Sequence, residues 1–520
     1  PRDNSEIMEY IKECGLGSLE ENVKKTLIQF GECTTFGSLI QPTEDNTIAI
    51  LESLQQRKTP ENLFSYMTHQ KVLRALKYAD YLSQKYAVVV ANPPYLDKFD
   101  DNFRKFAGTN YPRSKANTYS MFIERALALC IPKGACALIT LQGWMFNTSH
   151  ESLRTHLHST VSIISMIHLG PRAFDSIGGE VVSTTAFCLS NSTDPTKLAT
   201  YIDLTHGKSE SEKNDKLMEV INLSVSSLTH KRRIAEFQKL PGAPIAYSAS
   251  SQLLETFDRF DMLGHSTELR AGLQTGDNGK FLRLWQEVSL DKIAFDCKSR
   301  DEAKESRKTW FPYNKGGSFR RWYGNNFFVV HFYNDGQRIK ESKQEKLRLG
   351  LITANNSKCW NLEWYFSPCL TWSALSTSIS MRYSDGAVFD TKGQCLFAND
   401  PSNLPFYSAL LNSRATSRFL ELLTPTLDFN SGYVKKIPDC RTSIQSNQEI
   451  CRIESTCRQI AKTDWDAYET SWGFTNLPLL SPDLQAASLE NRYKKLREKW
   501  HQMVLEMQQL EEANNRIFID

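Results

Sequence analysis

The sequence lacks the residue patterns of several common kinds of site. Its twelve cysteines contain no C-x-x-C pair, and its ten histidines form no H-E-x-x-H motif. These absences speak against zinc-finger and metalloprotease sites, and we expect no bound metal. Cysteines scattered without pairing are typical of a reducing compartment, which predicts a cytoplasmic location. No apolar run is long enough to cross a bilayer and no signal peptide is visible, so we expect no membrane partner.

The chain also lacks a strong charge of either sign. Its 62 basic and 59 acidic residues leave a formal net charge of +3. Global charge therefore does not indicate a nucleic-acid or membrane surface, and any such surface must be local. A hydrophobic content of 40% over 520 residues is enough for several cores. The length predicts about three or four domains.

The most informative segment is residues 86–95, with the sequence YAVVVANPPY. An apolar, β-branched run ends abruptly at Asn92-Pro93-Pro94-Tyr95. Prolines lack the N–H donor that a central strand needs, so the run predicts a buried strand that ends in a rigid turn. In α/β folds the chemistry lies at the carboxyl ends of strands, where this turn would be.

The residue types in this turn suit transfer of a group to an amine. The side-chain carbonyl of Asn92 and the backbone carbonyl of Pro93 can both accept hydrogen bonds from one exocyclic –NH2 group. Tyr95 offers a flat face on which a base can stack, worth about 1–3 kcal/mol. Positioning and electrostatics can carry methyl transfer without a strong general base. The alternative interpretation is a tight turn that only ends a strand.

Together with the segments that follow, the turn resembles the N6-adenine DNA methyltransferases. Residues 117–127, NTYSMFIERAL, resemble the helix that follows the catalytic turn in that family. The resemblance implies that Asn92, Pro93, Pro94 and Tyr95 are catalytic. It also implies that Phe122 packs on S-adenosylmethionine (SAM), which Asn92 contacts too, and that Phe174 and Tyr95 stack on a flipped adenine. Further strands are expected over residues 133–140, 163–169 and 180–189.

Four longer segments give a narrower resemblance, to the PglX-type methyltransferases of bacterial BREX phage-defence systems. They are GPRAFDSIGGEVVSTTAF, GLQTGDNGKFLRLW, WFPYNKGGSFRRWYGN and DWDAYETSW. This resemblance implies a site-specific adenine-N6 methyltransferase that transfers a methyl group from SAM to double-stranded DNA. It also implies a role as the modification and recognition component of a phage-defence system, with other defence subunits as candidate partners.

A glycine-rich SAM loop is missing upstream of the catalytic turn. No strand followed by a D-P-x-x-G-x-G-like loop precedes Asn92, and Gly15 and Gly17 follow a helical pattern instead. We expect half of the SAM site to lie outside this chain. Two alternatives stay open: a DNA-sensing component of a defence complex with partner-dependent methylation, and the methyltransferase half of a fused restriction–modification enzyme.

The order of patterns predicts an α/β fold with a partial, Rossmann-like SAM-dependent methyltransferase sheet. A mixed α+β target-recognition domain and a C-terminal helical segment follow it. Ser481-Pro482 predicts the start of the last helix, whose apolar stripe has heptad spacing. That stripe is expected to pack within the protein, with a dimer seam as the alternative. The predicted boundaries are 1–75 (helical), 76–200 (catalytic), 201–255 (connector), 256–440 (target recognition) and 441–520 (helical).

The best DNA-binding signal is residues 307–323, RKTWFPYNKGGSFRRWY, which hold no acidic residue. Cations neutralise phosphates and arginines can pair with guanine edges. A basic hairpin of this kind also makes acidic phage proteins that mimic DNA candidate partners. The alternative is a solvated hairpin whose aromatic residues are core. The candidate DNA-binding residues are Arg307, Lys308, Lys315, Arg320 and Arg321.

Overall fold

A computed structural model describes nine ranges of the chain, which divides into two compact units, Pro1–Ala249 and Ser250–Asp520. The Asn-Pro-Pro-Tyr turn belongs to the first unit and the basic-aromatic segment to the second. Within the described ranges, no helix is both long and apolar enough to span a bilayer. The described residues are 4–14, 20–43, 47–56, 63–175, 182–223, 227–356, 358–424, 429–445 and 447–519.

The first unit begins with α-helices, as the sequence predicts for residues 1–75. Apolar side chains at helical spacing, such as Ile7 and Ile11, are buried against Val72 and Leu76. The pair Gly15 and Gly17 lies outside the described residues. The helices are α1 (Asn4–Cys14), α2 (Glu20–Gln29), α3 (Cys33–Phe36), α4 (Thr47–Gln55) and α5 (Leu63–Ser83).

A six-stranded mixed sheet forms the core of this unit and confirms the α/β prediction. Its strands are β1 (Tyr86–Ala91), β2 (Cys130–Leu141), β3 (Ser162–Gly170), β4 (Thr184–Ser190), β5 (Leu198–Asp203) and β6 (Thr229–Arg233). Their order is β1-β2-β4-β3-β5-β6. Because β4 runs antiparallel to both β2 and β3, while β1 pairs with β2 in parallel, the carboxyl ends of β1, β2 and β3 lie at one edge of the sheet. The helices around the sheet are α6 (Asp101–Asn110), α7 (Thr118–Leu129), α8 (Glu151–Thr160) and α9 (Glu210–Leu223).

Residues 201–255, predicted as a connector, are largely part of this sheet unit. Strand β6 pairs with β5 at the far edge of the sheet. Tyr201 is fully buried and stacks on Tyr247, with ring centroids 5.4 Å apart. The polar run SESEKND lies in and just before helix α9. Linkers and the exposed faces of surface helices have the same polar composition, so composition alone does not separate the two.

Strand β1 is less buried than its sequence predicts. In the described part of the chain, only β2 pairs with it, so one edge of β1 is open. Val88 is 62% exposed and Val90 is 74% exposed, whereas Val89 packs against the core of the sheet. The β-branched run therefore forms an edge strand with apolar side chains on its surface.

Helix α8 carries buried polar groups on one face. The guanidinium of Arg154 is 1% exposed and donates to the carbonyls of Trp144 at 2.9 Å and Asn147 at 2.7 Å. His150 and His158 flank it, one turn away on either side. Burial, reinforced by the charge of Arg154, lowers the pKa of each of these histidines to about 4. Both are therefore neutral in the folded protein near neutral pH.

This burial makes the stability of the first unit depend on pH. In the unfolded chain the histidines titrate near pH 6.5, so between about pH 6.5 and 4 the unfolded state binds more protons. The free energy of unfolding should therefore fall as pH drops through that window, by about 1.4 kcal/mol per pH unit for each histidine. His158→Gln should reduce the slope, measured as the urea midpoint of the first unit at pH 7 and pH 5. His265→Gln, at an exposed position of the second unit, is the control. A slope unchanged by His158→Gln would contradict this.

The second unit contains two four-stranded sheets. One has the order β13-β9-β10-β8 and the other β12-β11-β14-β7. Their strands are β7 (Thr267–Arg270), β8 (Leu282–Leu284), β9 (Trp310–Asn314), β10 (Phe328–His331), β11 (Cys369–Ser373), β12 (Arg382–Ser384), β13 (Val388–Phe389) and β14 (Gly393–Ala398). The helices are α10 (Ser251–Arg259), α11 (Asn278–Phe281), α12 (Arg300–Glu305), α13 (Tyr333–Arg348), α14 (Leu404–Leu411), α15 (Arg414–Leu423), α16 (Ser431–Val434), α17 (Asn447–Trp465) and α18 (Leu489–Ile519).

The last helix is present, but it begins later than predicted. Ser481-Pro482 starts a single 3-10 turn, Pro482–Leu484, and α18 begins at Leu489. Met507 and Leu510 of its apolar stripe pack against buried residues of α17, as expected for packing within the protein. Toward its start, Trp500 remains 41% exposed.

Candidate active site

The Asn-Pro-Pro-Tyr turn directly follows β1, at the edge of the sheet where parallel strands end. The side chain of Asn92 is exposed, whereas Pro93 is buried and Tyr95 is half-buried against the core of the sheet. The Tyr95 hydroxyl makes only long contacts, 3.5 Å to Asn92 Oδ1 and 3.4 Å to the carbonyl of Ile139. Burial raises the pKa of Tyr95, so its ring is neutral. The turn presents an exposed amide beside a neutral aromatic face.

The first residue of helix α7 is hydrogen-bonded to this turn. The Thr118 hydroxyl donates to the Pro94 carbonyl at 2.5 Å and accepts from the Leu96 N–H at 2.9 Å. The Thr118 N–H donates to the Leu96 carbonyl, also at 2.9 Å. Asn117, the first residue of the N-x-Y-x-x-F pattern, caps the helix by accepting from the Tyr119 N–H. The pattern thus builds the start of the helix that supports the turn.

The ring of Tyr119 packs against the ring of Tyr95. The two rings meet edge to face, with centroids 6.1 Å apart and an interplanar angle of 90°. Tyr119 is 3% exposed, and its hydroxyl is hydrogen-bonded to His150 Nε2 at 3.0 Å. Burial raises the pKa of Tyr119, so this pair stays neutral. The orientation of Tyr95 is therefore fixed by packing and backbone rather than by its own hydroxyl.

Phe122 lies on the same helix as Tyr119. It is half-buried and packs between the core of the sheet and a second apolar cluster that includes Phe103 of α6 and Met121 of α7. Its ring is thus fixed on two sides and still partly open. Its packing on SAM stays a prediction of the resemblance.

Phe174 follows β3 at the same edge of the sheet and is half-buried. Its loop is anchored by helix α9. Lys213 Nζ donates to the carbonyls of Leu169 and Leu204, each at 2.7 Å. Asp175 and Glu210 each donate a backbone N–H to the other's carboxylate, both at 3.2 Å. Residues 176–181 lie outside the described ranges.

A buried polar network joins the ends of β2 and β3. His168 is hydrogen-bonded to the Tyr247 hydroxyl at 2.7 Å and to Gln142 Oε1 at 2.6 Å. Burial lowers the pKa of His168, so the ring is neutral. The Gln142 N–H donates to the Ser183 carbonyl, just before β4. The network ties together the ends of β2 and β3 and the start of β4, and no local sequence pattern indicates it.

The basic-aromatic segment of the second unit is tied into its own fold. Arg320 is ion-paired with Asp464, and Arg321 lies 2.8 Å from Glu511. Arg307 is exposed. These contacts favour a structural interpretation for Arg320 and Arg321 and leave Arg307 accessible. The other two cations also contact the unit, Lys308 through the carbonyl of Asp291 and Lys315 over the ring of Phe328.

The aromatic residues of this segment also include both buried and exposed members. Phe311, Tyr313 and Trp322 are at most 3% exposed, and Trp322 packs against Ile453 and Cys457 of α17. Phe319 is 49% exposed. Half of the aromatic residues of the segment are thus core residues, as in the alternative interpretation.

Comparison with known proteins finds a family match within the first unit. Residues 20–174 match the model of the Eco57I restriction-modification methylase family. The matched segment includes the Asn92–Tyr95 turn, helix α7 and Phe174. Methylases of this kind generally use SAM as the methyl donor.

Two relatives extend the similarity to nearly the whole chain. The adenine-specific methyltransferase PglX of Lacticaseibacillus casei (strain Zhang) is 36% identical over 519 residues, which are 96% of this chain and 42% of the relative. The adenine-specific methyltransferase BrxX of Escherichia coli O9:H4 (strain HS) is 32% identical over 494 residues, 93% of this chain and 38% of the relative. Both are close homologues, which confirms the PglX resemblance. The chain spans about two fifths of the length of each.

One solved structure aligns with almost the entire chain. It is the type IIL restriction-modification enzyme MmeI in complex with DNA, with a TM-score of 0.47 and 11% identity over 99% of this chain and 75% of that one. A likeness at this level is too weak to support a conclusion about function.

Proposed function

We propose that this chain is the catalytic-turn and target-recognition portion of a site-specific DNA adenine-N6 methyltransferase. In this proposal it belongs to the modification component of a phage-defence system. The observation that carries the proposal is the exposed Asn92 amide in a braced Asn-Pro-Pro-Tyr turn at the carboxyl end of β1, within the segment that matches the methylase family.

The chemistry follows from the groups at the turn. The target amine is paired inside a duplex, so the adenine must be flipped out before it can react. Asn92 Oδ1 and the Pro93 carbonyl would accept its two N–H donors, which leaves the nitrogen lone pair directed at the incoming methyl group. Tyr95 and Phe174 would hold the base by stacking. SAM, when bound, supplies the methyl group.

The residues present fit one side of SAM. Phe122 offers a partly open ring on helix α7, and Asn92 offers an exposed amide in the turn. In the described residues before β1 every regular element is a helix, so these residues hold no strand followed by a glycine-rich SAM loop. The second candidate is a DNA-sensing component whose methylation depends on a partner.

The experiment uses the protein as its host expresses it. It is incubated with methyl-labelled SAM and unmodified double-stranded DNA, and the DNA is digested to nucleosides. Label in N6-methyl-2′-deoxyadenosine supports the proposal. Label in a cytosine derivative contradicts it, and DNA binding without transfer favours the DNA-sensing alternative. Cleavage of DNA in the presence of Mg2+ would favour a fused restriction–modification enzyme.

We also propose that Arg307 contacts the DNA backbone, because its side chain is exposed while Arg320 and Arg321 pair with carboxylates. Arg307→Ala should weaken DNA binding for all sequences and lower the salt slope of binding by about 1. The free energy of unfolding should not change. Fluorescence anisotropy over a salt series measures the slope.

Arg321→Ala is the matched control, because it removes the same charge. It breaks the 2.8 Å pair with Glu511 of α18, so it should lower stability with little effect on the slope. If the salt slope of DNA binding is unchanged in Arg307→Ala, Arg307 does not contact the DNA. Acidic proteins that mimic DNA should compete for the same surface.

A further inference from the structure

Two prolines leave the catalytic turn short of hydrogen-bond donors. Pro93 and Pro94 have no N–H, so the peptide groups around Tyr95 have few ways to be fixed by the backbone alone. Thr118 compensates for this. Its single hydroxyl serves the Pro94 carbonyl on one side of Tyr95 and the Leu96 N–H on the other, at 2.5 and 2.9 Å.

The bracing hydroxyl is rigid and protected from water. Thr118 is 2% exposed and lies in the first turn of α7, whose cap is Asn117. Its own N–H is also bonded to the Leu96 carbonyl. A buried hydroxyl that donates and accepts at once has one favourable rotamer, so it fixes both peptide groups at the same time.

The reacting side chains have little other support. Asn92 is exposed, and the Tyr95 hydroxyl has only contacts of 3.4 and 3.5 Å. The direction of the Tyr95 ring therefore depends on the backbone on either side of it and on the Tyr119 ring below it. Thr118 fixes the backbone on either side of Tyr95.

We propose that Thr118 is a positioning residue for methyl transfer, which acts by fixing the turn that carries Asn92 and Tyr95. The inference rests on the proposed function. It assigns to Thr118 a contribution to the rate of transfer rather than to binding of DNA or cofactor, since Thr118 is too deeply buried to contact either.

The test compares Thr118→Val with Thr118→Ser in the protein as expressed. Valine keeps nearly the same shape without the hydroxyl, whereas serine keeps the hydroxyl. Thr118→Val should lower kcat by about 10- to 100-fold, as expected for misplaced reacting groups, with the KM for DNA changed less than about threefold. Thr118→Ser should restore kcat to within about threefold of the parent.

Thr26→Val is the matched control. Thr26 is also a buried threonine, 1% exposed, whose hydroxyl donates to the Asn22 carbonyl in α2, away from the turn. It should leave kcat unchanged. The inference is overturned if Thr118→Val keeps the parental kcat, if the valine and serine variants are equally impaired, or if Thr26→Val is as slow as Thr118→Val. A parent that transfers no methyl group overturns the proposed function, and this inference with it.

Discussion

Asn92→Ala should abolish methyl transfer to adenine and leave DNA binding intact. The substitution removes the acceptor that would hold the target amine, and loss of one such preorganised group typically lowers kcat by about 100- to 1,000-fold. Because the Asn92 side chain is exposed, its removal should not cost measurable stability. The effect should appear in kcat rather than in the KM for DNA.

Two variants make this result specific. Asn92→Asp retains an acceptor oxygen at the same place and should lose less activity than Asn92→Ala. Asn102→Ala changes another exposed asparagine of the same unit and should behave as the parent. Incorporation of labelled methyl groups measures transfer, and a gel-shift titration measures DNA binding. Substantial methylation by Asn92→Ala would remove Asn92 from the reaction.

Tyr95→Ala should give the second largest loss, about 10- to 100-fold in kcat/KM. It removes a stacking surface worth about 1–3 kcal/mol and leaves the edge of Tyr119 facing an empty space. Tyr95→Phe should stay within about threefold of the parent, since the hydroxyl makes only contacts of 3.4 and 3.5 Å. The ring, rather than the hydroxyl, carries the effect.

Fluorescence of 2-aminopurine at the target position measures this stacking directly. With Tyr95→Ala the flipped base should fluoresce more strongly than with the parent, because less of it is quenched by an aromatic neighbour. Tyr78→Ala removes a tyrosine of α5 that is 49% exposed and serves as the control. If Tyr95→Phe is as impaired as Tyr95→Ala, the hydroxyl has a role that its long contacts do not explain.

The local parts of the site are predictable from the sequence. A β-branched run followed by two prolines predicts a strand and its end, and β1 ends at Ala91 as that pattern requires. The insertion of β4 between β2 and β3 is not predictable in this way, because strand pairing depends on side chains far apart in the chain. The Thr118 brace and the Tyr119–His150 pair join residues 22 to 31 positions apart, and no local pattern encodes such contacts.

The charge of residues 307–323 illustrates the same limit. Counted locally, the segment has five cations and no acid. Its acidic partners Asp464 and Glu511 lie 144 and 190 positions further along the chain. A window of sequence therefore overstates the positive charge that a ligand meets, whereas the exposure of Arg307 could be seen only in the folded unit.

The open edge of β1 in the described residues affects what can pair with the sheet. An unpaired row of N–H and C=O groups beside the exposed Val88 and Val90 is a template for a strand from another molecule. A strand from another segment or another molecule can therefore extend the sheet at β1. Asn92 follows that strand directly, so a strand that pairs at this edge would lie next to the exposed Asn92 amide.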